Sequence, residues 1–307
     1  ASVNAYDPDL VGLLAELVAV PSFSGEEKPV QQCIVRWLAA AGIEAGLEDA
    51  DGGLKNVVAT IEGRQGGPVL WIGGHCDTVG VASDWSKKPH GPVIENNRLY
   101  GLGAMDMKGG LAAAMLTVRA LHRSRDRWSG KVIFSALADE EAWSRGANAF
   151  VRKDRGIDAA IMCEPHFDDV VIGALGKINL RVAVKGRSAH GSRPEQGVNA
   201  VVEAARLIVA IDGLDRFSHP EFGRASHCVL NVASGDGRYE IRVPDQTAFV
   251  VNWHFMPGET PEDAVETIRG LADALGSAAQ FTVTIGEPRY ESFLLDRQDA
   301  FVTQFCD

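Results

Sequence analysis

His75 and Asp77 stand two residues apart in the stretch Trp71-Ile72-Gly73-Gly74-His75-Cys76-Asp77-Thr78-Val79, at the end of an apolar run from Pro68 to Ile72. Side chains of an extended chain alternate faces, so the imidazole and the carboxylate point one way and Cys76 the other. A carboxylate beside an imidazole fixes the ring tautomer and raises its basicity, which suits metal binding. Alone, the pair reads as an ordinary surface pair. More acids occur at comparable places. Asp139-Glu140-Glu141 follows the apolar run Lys131 to Ala138, Glu164 follows Ala159 to Cys163, and Asp106 sits in Gly101-Leu102-Gly103-Ala104-Met105-Asp106-Met107-Lys108-Gly109-Gly110. A run of acids is usually a solvated loop, but the carboxyl ends of parallel strands are where sites form. Several carboxylates gathered there without cations would repel one another strongly, so together they point to a metal site. The Gly-x-Gly at 101–103 resembles a dinucleotide turn, yet Asp106 stands where the third glycine belongs and would repel a pyrophosphate.

The elements that must hold these residues follow from periodicity and punctuation. Asp7 caps and Pro8 opens a first helix, with Leu10, Leu13, Leu14, Leu17 and Val18 at helical spacing. Ser24 with Glu27 reads as a capping box for a second helix through Ile34, Trp37 and Leu38 to Gly42. Both helices read as cover for a sheet. Val57 to Ile61, Val69 to Ile72, 131–138 and 159–163 are expected strands, 84–99 a loop, and Leu111 to Leu121 a buried helix. From Lys177 the pattern becomes β-α-β-β-α-β: strands at 178–184, 228–232, 247–251 and 280–285, and helices at 198–211 and 261–275. That order is the ferredoxin-like split unit, and Leu180, Val182 and Val184 mark a sheet with one buried face. The expected class is α/β: a mainly parallel sheet followed by a ferredoxin-like α+β domain.

The composition allows this. A chain of 307 residues, 46% hydrophobic, can bury two cores. Its net charge of −11, from 30 basic and 41 acidic side chains, argues against a nucleic-acid partner. Five scattered cysteines (33, 76, 163, 228 and 306) read as buried thiols in a reducing compartment, with a cytoplasmic location expected. No apolar run is long enough for a membrane span, and no signal peptide is visible.

The four segments 74–79, 101–110, 139–141 and 163–165, in that order, resemble the successive motifs of the di-zinc amidohydrolases, which include acetylornithine deacetylase, succinyl-diaminopimelate desuccinylase, aminoacylase and carboxypeptidase G. The resemblance covers nearly the whole chain. It implies two Zn2+, with Co2+ or Mn2+ as substitutes. His75 would bind one metal, Asp106 would bridge both, and Glu141 and Glu164 would bind one each. Asp77 would orient His75, and Glu140 would be the general base. The donor types agree with zinc, and a carboxylate that is not a ligand can take a proton from metal-activated water. The resemblance further implies a cis peptide at Asp106-Met107. The catalytic domain would be 1–176 with 288–307, interrupted by a lid and dimerisation domain at 177–287. His190, in Gly186 to Pro194, resembles the histidine that reaches the partner subunit's active site. The expected activity is hydrolysis of the amide of a small N-acyl amino acid or dipeptide-like substrate by a homodimer. A carboxypeptidase, an N-carbamoyl amino acid hydrolase or a non-catalytic dimeric binding protein are the alternatives.

Two departures from that pattern bear on substrate. His254 stands where related enzymes carry an arginine for the substrate carboxylate, and it lacks the bidentate fork of Arg. Ile241-Arg242-Val243-Pro244 lacks the usual Asn, which makes Arg242 the alternative donor; Asn231 completes the candidate substrate contacts. The family also supplies a last metal-binding His after the lid, and no His follows His254. The chain is therefore expected to be a fragment, in which the Glu141 metal has one ligand too few.

Overall fold

The computed structural model describes residues 8–166, 169–216, 218–235 and 241–306. Asp7, the expected first cap, lies outside them. The chain forms two compact units, Ala1–Asp169 and Val170–Asp307.

The first unit runs α1 (Pro8–Ala19), α2 (Lys28–Ala40), β1 (Ala45–Asp49), β2 (Lys55–Glu62), β3 (Arg64–His75), β4 (Val93–Glu95), β5 (Arg98–Tyr100), α3 (Gly109–Arg123), β6 (Ser129–Leu137), α4 (Arg145–Val151) and β7 (Ala159–Met162). Its five-stranded sheet has the order β1-β2-β6-β3-β7. The sheet is mixed. β6, β3 and β7 are parallel neighbours, while β1 and β2 run antiparallel beside β6. β6 reads as an unbroken apolar run because both of its faces are covered. Val132, Phe134 and Ala136 join Leu17, Ile34, Leu38, Leu111 and Met115 of the three helices, while Ile133 and Leu137 face Phe150 of α4. Trp71 stacks on Phe150 at 4.5 Å and donates its indole N–H to Ser135 Oγ at 2.8 Å. Inside the expected loop 84–99, β4 and β5 form a hairpin turned by Asn96 and Asn97, both at positive φ.

The second unit runs β8 (Gly173–Ala174), β9 (Gly176–Lys185), α5 (Ala200–Asp212), β10 (Ser218–His219), β11 (Gly223–Arg224), β12 (His227–Ser234), β13 (Gln246–Phe255), α6 (Pro261–Ala274), β14 (Gln280–Tyr290), β15 (Phe293–Leu294) and α7 (Ala300–Cys306). The main sheet, β12-β13-β9-β14, is antiparallel throughout. With α5 after β9 and α6 after β13, this is the split β-α-β-β-α-β unit. Ile178, Leu180, Val182 and Val184 are buried against Leu207, Ile211 and Ile268 of the two helices. Thr260 and Asp263 form a reciprocal capping box on α6. The segment after β14 keeps its contacts in this unit: Phe293 pairs with Ala174, and Leu295 N–H donates to Ile172 O at 2.8 Å.

Two sequence expectations need correction. Ser24 and Glu27 make no capping box: α2 has no side-chain cap, because both side chains are turned inward to partners far along the chain. Nor are all five thiols buried. Cys228, on the edge strand β12, and Cys306, on the short α7, are exposed. No helix among the described residues is long and apolar enough to cross a membrane.

Gly110 opens α3 directly against the end of β7. A Cβ there would collide with the carbonyl oxygen of Cys163, and backbone cannot swing aside as a side chain can. Gly110→Ala should therefore cost about 1–3 kcal/mol, the usual range for overpacking. A urea midpoint equal to the parent's would show that the contact is looser than described.

Candidate metal centre and its supports

Three parallel strands end side by side. His75 closes β3 opposite Leu137 of β6, and Gly73 lies opposite Met162 of β7. The chain beyond these ends delivers Asp77, Asp139 to Glu141, and Glu164 to one edge of the sheet. Asp106 arrives from the turn Ala104–Lys108 that precedes α3, where Asp106 and Met107 leave helical geometry. The turn follows Gly103, at φ 74, and the Asp106-Met107 peptide is cis, as the sequence resemblance implied. Gly74 leaves room for Met107, whose methyl end occupies the place of a Cβ.

His75 Nε2 lies 3.1 Å from Asp106 Oδ1, 3.8 Å from Glu140 Oε2 and 3.9 Å from Glu164 Oε1. One donor atom each from His75, Asp106 and Glu141 falls within 4.8 Å of the others. Thus His75, Asp106, Glu140, Glu141 and Glu164 converge. On its other side His75 Nδ1 meets the Asp77 carbonyl at 3.0 Å and Asp77 Oδ1 at 3.4 Å. A carbonyl only accepts, so Nδ1 carries the proton and Nε2 faces the acids.

The acids crowd each other. Burial pushes the Glu164 carboxyl up, and Glu140, Asp106 and Glu141 push it further, to about 7, against the pull of His75. Burial and Asp106 likewise raise Glu141. Burial would lower His75, but the hydrogen bond and charge of Asp77, with Glu164 and Glu140, outweigh it and lift the ring to about 9. Imidazole and carboxylates short of positive charge are a donor set that fits a divalent cation such as zinc.

Behind the acids is a layer of which the sequence pointed only to Asp77. Asp77 is fully buried. Its Oδ2 accepts from Ser24 Oγ at 2.8 Å and from the Glu141 N–H at 3.1 Å, and its Oδ1 accepts from the Glu140 N–H at 3.1 Å. Glu27 Oε1 accepts from Gly25 N–H at 2.7 Å and Asp139 N–H at 3.0 Å. Asp139, read in the sequence as part of a charge run, is itself buried at φ 65 and takes a bidentate pair from Arg145, at 2.7 and 2.9 Å. Lys108 is fully buried, and its ammonium donates to the Leu17 and Val20 carbonyls at the end of α1. Only the Ser-x-x-Glu spacing could have signalled the Ser24–Glu27 segment, and that spacing serves a helix cap equally well.

The remaining candidates lie in the second unit. His190 is exposed, and its Nδ1 accepts from Ser192 N–H at 3.2 Å with Ser192 Oγ at 2.8 Å. His190 also bridges Arg242 across the backbone, and Arg242 lies 3.6 Å from Asp245. His254 meets Ser226 Oγ at 3.1 Å and is pushed down by burial, with Lys177 and Arg216 adding to it. Asn231 is exposed at the irregularity where β12 slips register against β13.

The model of peptidase family M20/M25/M40 matches residues 71–295. A succinyl-diaminopimelate desuccinylase of Methylorubrum extorquens is 29% identical over 328 aligned positions, which take in 98% of this chain and 82% of the relative. Among solved structures, a Staphylococcus aureus tripeptidase superposes with a TM-score of 0.75 at 22% identity, over 96% of this chain and 79% of its own. A dinuclear metal-binding M20 peptidase of Bacillus subtilis superposes with a TM-score of 0.68 at 20% identity, over 96% and 76%.

The raised carboxyl and imidazole make metal-free protein sensitive to alkali. Glu164, lifted from 4.5 to about 7, contributes stability that is complete below 4.5 and is lost as pH rises through 7. His75, lifted from 6.5 to about 9, behaves the same way between those values. EDTA-treated protein should therefore melt at falling temperature from pH 5 to 9, and metal-loaded protein should show a flatter profile because the cation takes the protons' place. A metal-free melting temperature that rises across this range would contradict the charge balance described.

Proposed function

The chain belongs to peptidase family M20/M25/M40, and from that premise we propose that it hydrolyses the amide bond of a small N-acyl amino acid or dipeptide-like substrate. The observation that carries the reading is the convergence of His75 Nε2, Asp106, Glu140, Glu141 and Glu164 at the ends of three parallel strands. The desuccinylase relatives support an N-acyl amino acid over an ordinary peptide.

In this reading His75, Asp106, Glu141 and Glu164 would hold two divalent cations, zinc by preference with Co2+ or Mn2+ as substitutes, with Asp106 shared between them. When bound, the cations supply Lewis acidity toward the scissile carbonyl and a lowered pKa for the attacking water. Glu140 takes the proton of that water and returns it to the leaving nitrogen as the carbon–nitrogen bond breaks, giving a carboxylate and a free amine. Asp77 keeps the proton on His75 Nδ1 so that Nε2 stays available. His190, with Nδ1 occupied by Ser192, offers Nε2–H to the developing oxyanion across a homodimer formed through a lid at 177–287. Asn231, Arg242 and His254 contact the rest of the substrate. His254, held neutral by burial and nearby cations, offers a single hydrogen bond and leaves charge pairing to Arg242. Five unpaired thiols suit a cytoplasmic location.

Glu140→Gln should retain metal and lose about 10²–10⁴-fold in kcat, the usual contribution of a positioned base. A panel of N-acetyl, N-succinyl and N-carbamoyl amino acids, read with metal content, separates this reading from a carbamoylase, a carboxypeptidase and a non-catalytic binding protein. A parental rate in Glu140→Gln would remove the assigned base.

Subunit mixing tests His190. His190→Ala and Glu140→Gln chains, each inactive alone, should regain activity as hybrid dimers. No recovery after demonstrated exchange would place His190 in its own subunit's site or outside the chemistry.

A further inference from the structure

We propose that Glu27 is a positioning residue for Glu140, acting through the backbone of Asp139. The inference rests on the reading of Glu140 as the base. Glu27 is 2% exposed and lies 112 residues before Asp139 in the chain, yet its Oε1 accepts the Asp139 N–H at 3.0 Å. The same oxygen accepts Gly25 N–H at 2.7 Å, so one carboxylate oxygen ties two backbone segments together.

The segment that carries Glu27 is itself anchored to the other side of the centre. Thr78 N–H donates to Ser22 O at 2.8 Å, Ser22 Oγ donates to Cys76 O at 2.8 Å, and Ser24 Oγ donates to Asp77 at 2.8 Å. Residues 22–27 therefore form a strap. One end is laid along Cys76 to Thr78, and the other grips the peptide before Glu140. Asp139 needs such a grip. It sits at φ 65, a conformation unfavourable for a residue with a Cβ, and its own side chain is committed to Arg145. Its N–H is buried, and without Glu27 it would lose its acceptor. A buried carboxylate is costly to keep, so its place here argues for a geometric task. That task is to fix where Glu140 begins relative to His75.

Removing the acceptor should shift the base without emptying the centre. A misplacement of about 1 Å can cost on the order of 10²-fold in rate. Glu27→Ala should lower kcat about 10–100-fold, with KM and metal content within about twofold of the parent. Glu27→Gln, which keeps an oxygen acceptor, should recover most of that loss. The double variant with Glu140→Gln should be no slower than Glu140→Gln alone, since a residue acting through the base has nothing left to position. A parental kcat in Glu27→Ala beside an inactive Glu140→Gln overturns this inference alone. A fully active Glu140→Gln overturns the base assignment and this inference together. Equal losses in Glu27→Ala and Glu27→Gln, or additive losses in the double variant, assign Glu27 a merely structural role and overturn the proposal. If Glu27→Ala does not fold, Glu27→Gln and Glu27→Asp decide. Near-parental kcat for Gln with a tenfold fall for Asp, whose carboxylate is one methylene short, supports the proposal, and any other pattern overturns it.

Discussion

The centre depends on one buried charge. Asp77 has no exposure to water, so every lone pair it keeps must be answered by the protein. The answers come from three separate parts of the chain: a hydroxyl from the strap before α2, two consecutive backbone N–H groups after β6, and the imidazole two residues back. The consequence runs outward. Satisfying Asp77 fixes the His75 ring, and it also fixes the peptides from which Glu140 and Glu141 depart. A charge that would otherwise destabilise the fold becomes the reference point for the acids around it.

The sheet explains why these parts meet. β6, β3 and β7 run parallel, so their carboxyl ends fall on one edge, and an acid or imidazole placed just past each end shares the same space. The antiparallel pair β1 and β2 extends the sheet on the far side of β6 and places none of the converging residues. The close turn at Asp106 completes the set because Gly74 yields its Cβ position to Met107 and Gly110 lets α3 start on the Cys163 carbonyl.

Much of this was legible in the sequence. His75, Glu140, Glu141 and Glu164 each close or follow an apolar run, and that placement is what marked them. The second unit was legible because Ile178, Leu180, Val182 and Val184 alternate cleanly above one covered face. What escaped has a common physical cause. Ser24 and Glu27 satisfy a local pattern, but their partners lie 53 and 112 residues away, and tertiary hydrogen bonds displaced the cap. Asp139 looked like one more solvated acid beside Glu140 and Glu141; Arg145, six residues on, turns it inward. β1, Ala-Gly-Leu-Glu-Asp, has no apolar alternation because it is an edge strand with mostly exposed side chains.

The two consecutive N–H groups bound to the two oxygens of Asp77 carry a further implication, for loop length. Glu140 N–H goes to Oδ1 and Glu141 N–H to Oδ2, each at 3.1 Å, so the acids are assigned by count from a fixed point. A single inserted or deleted residue between Leu137 and Glu141 would hand the roles to the wrong neighbours even if every side chain were kept. Beyond Glu141 the count continues: the Trp143 and Ser144 N–H groups donate to Asp139 O at 3.1 and 2.6 Å, and Arg145 pairs with the Asp139 carboxylate. The length of this loop is therefore set from Leu137 through Arg145, which is a rule for grafting or diversifying it.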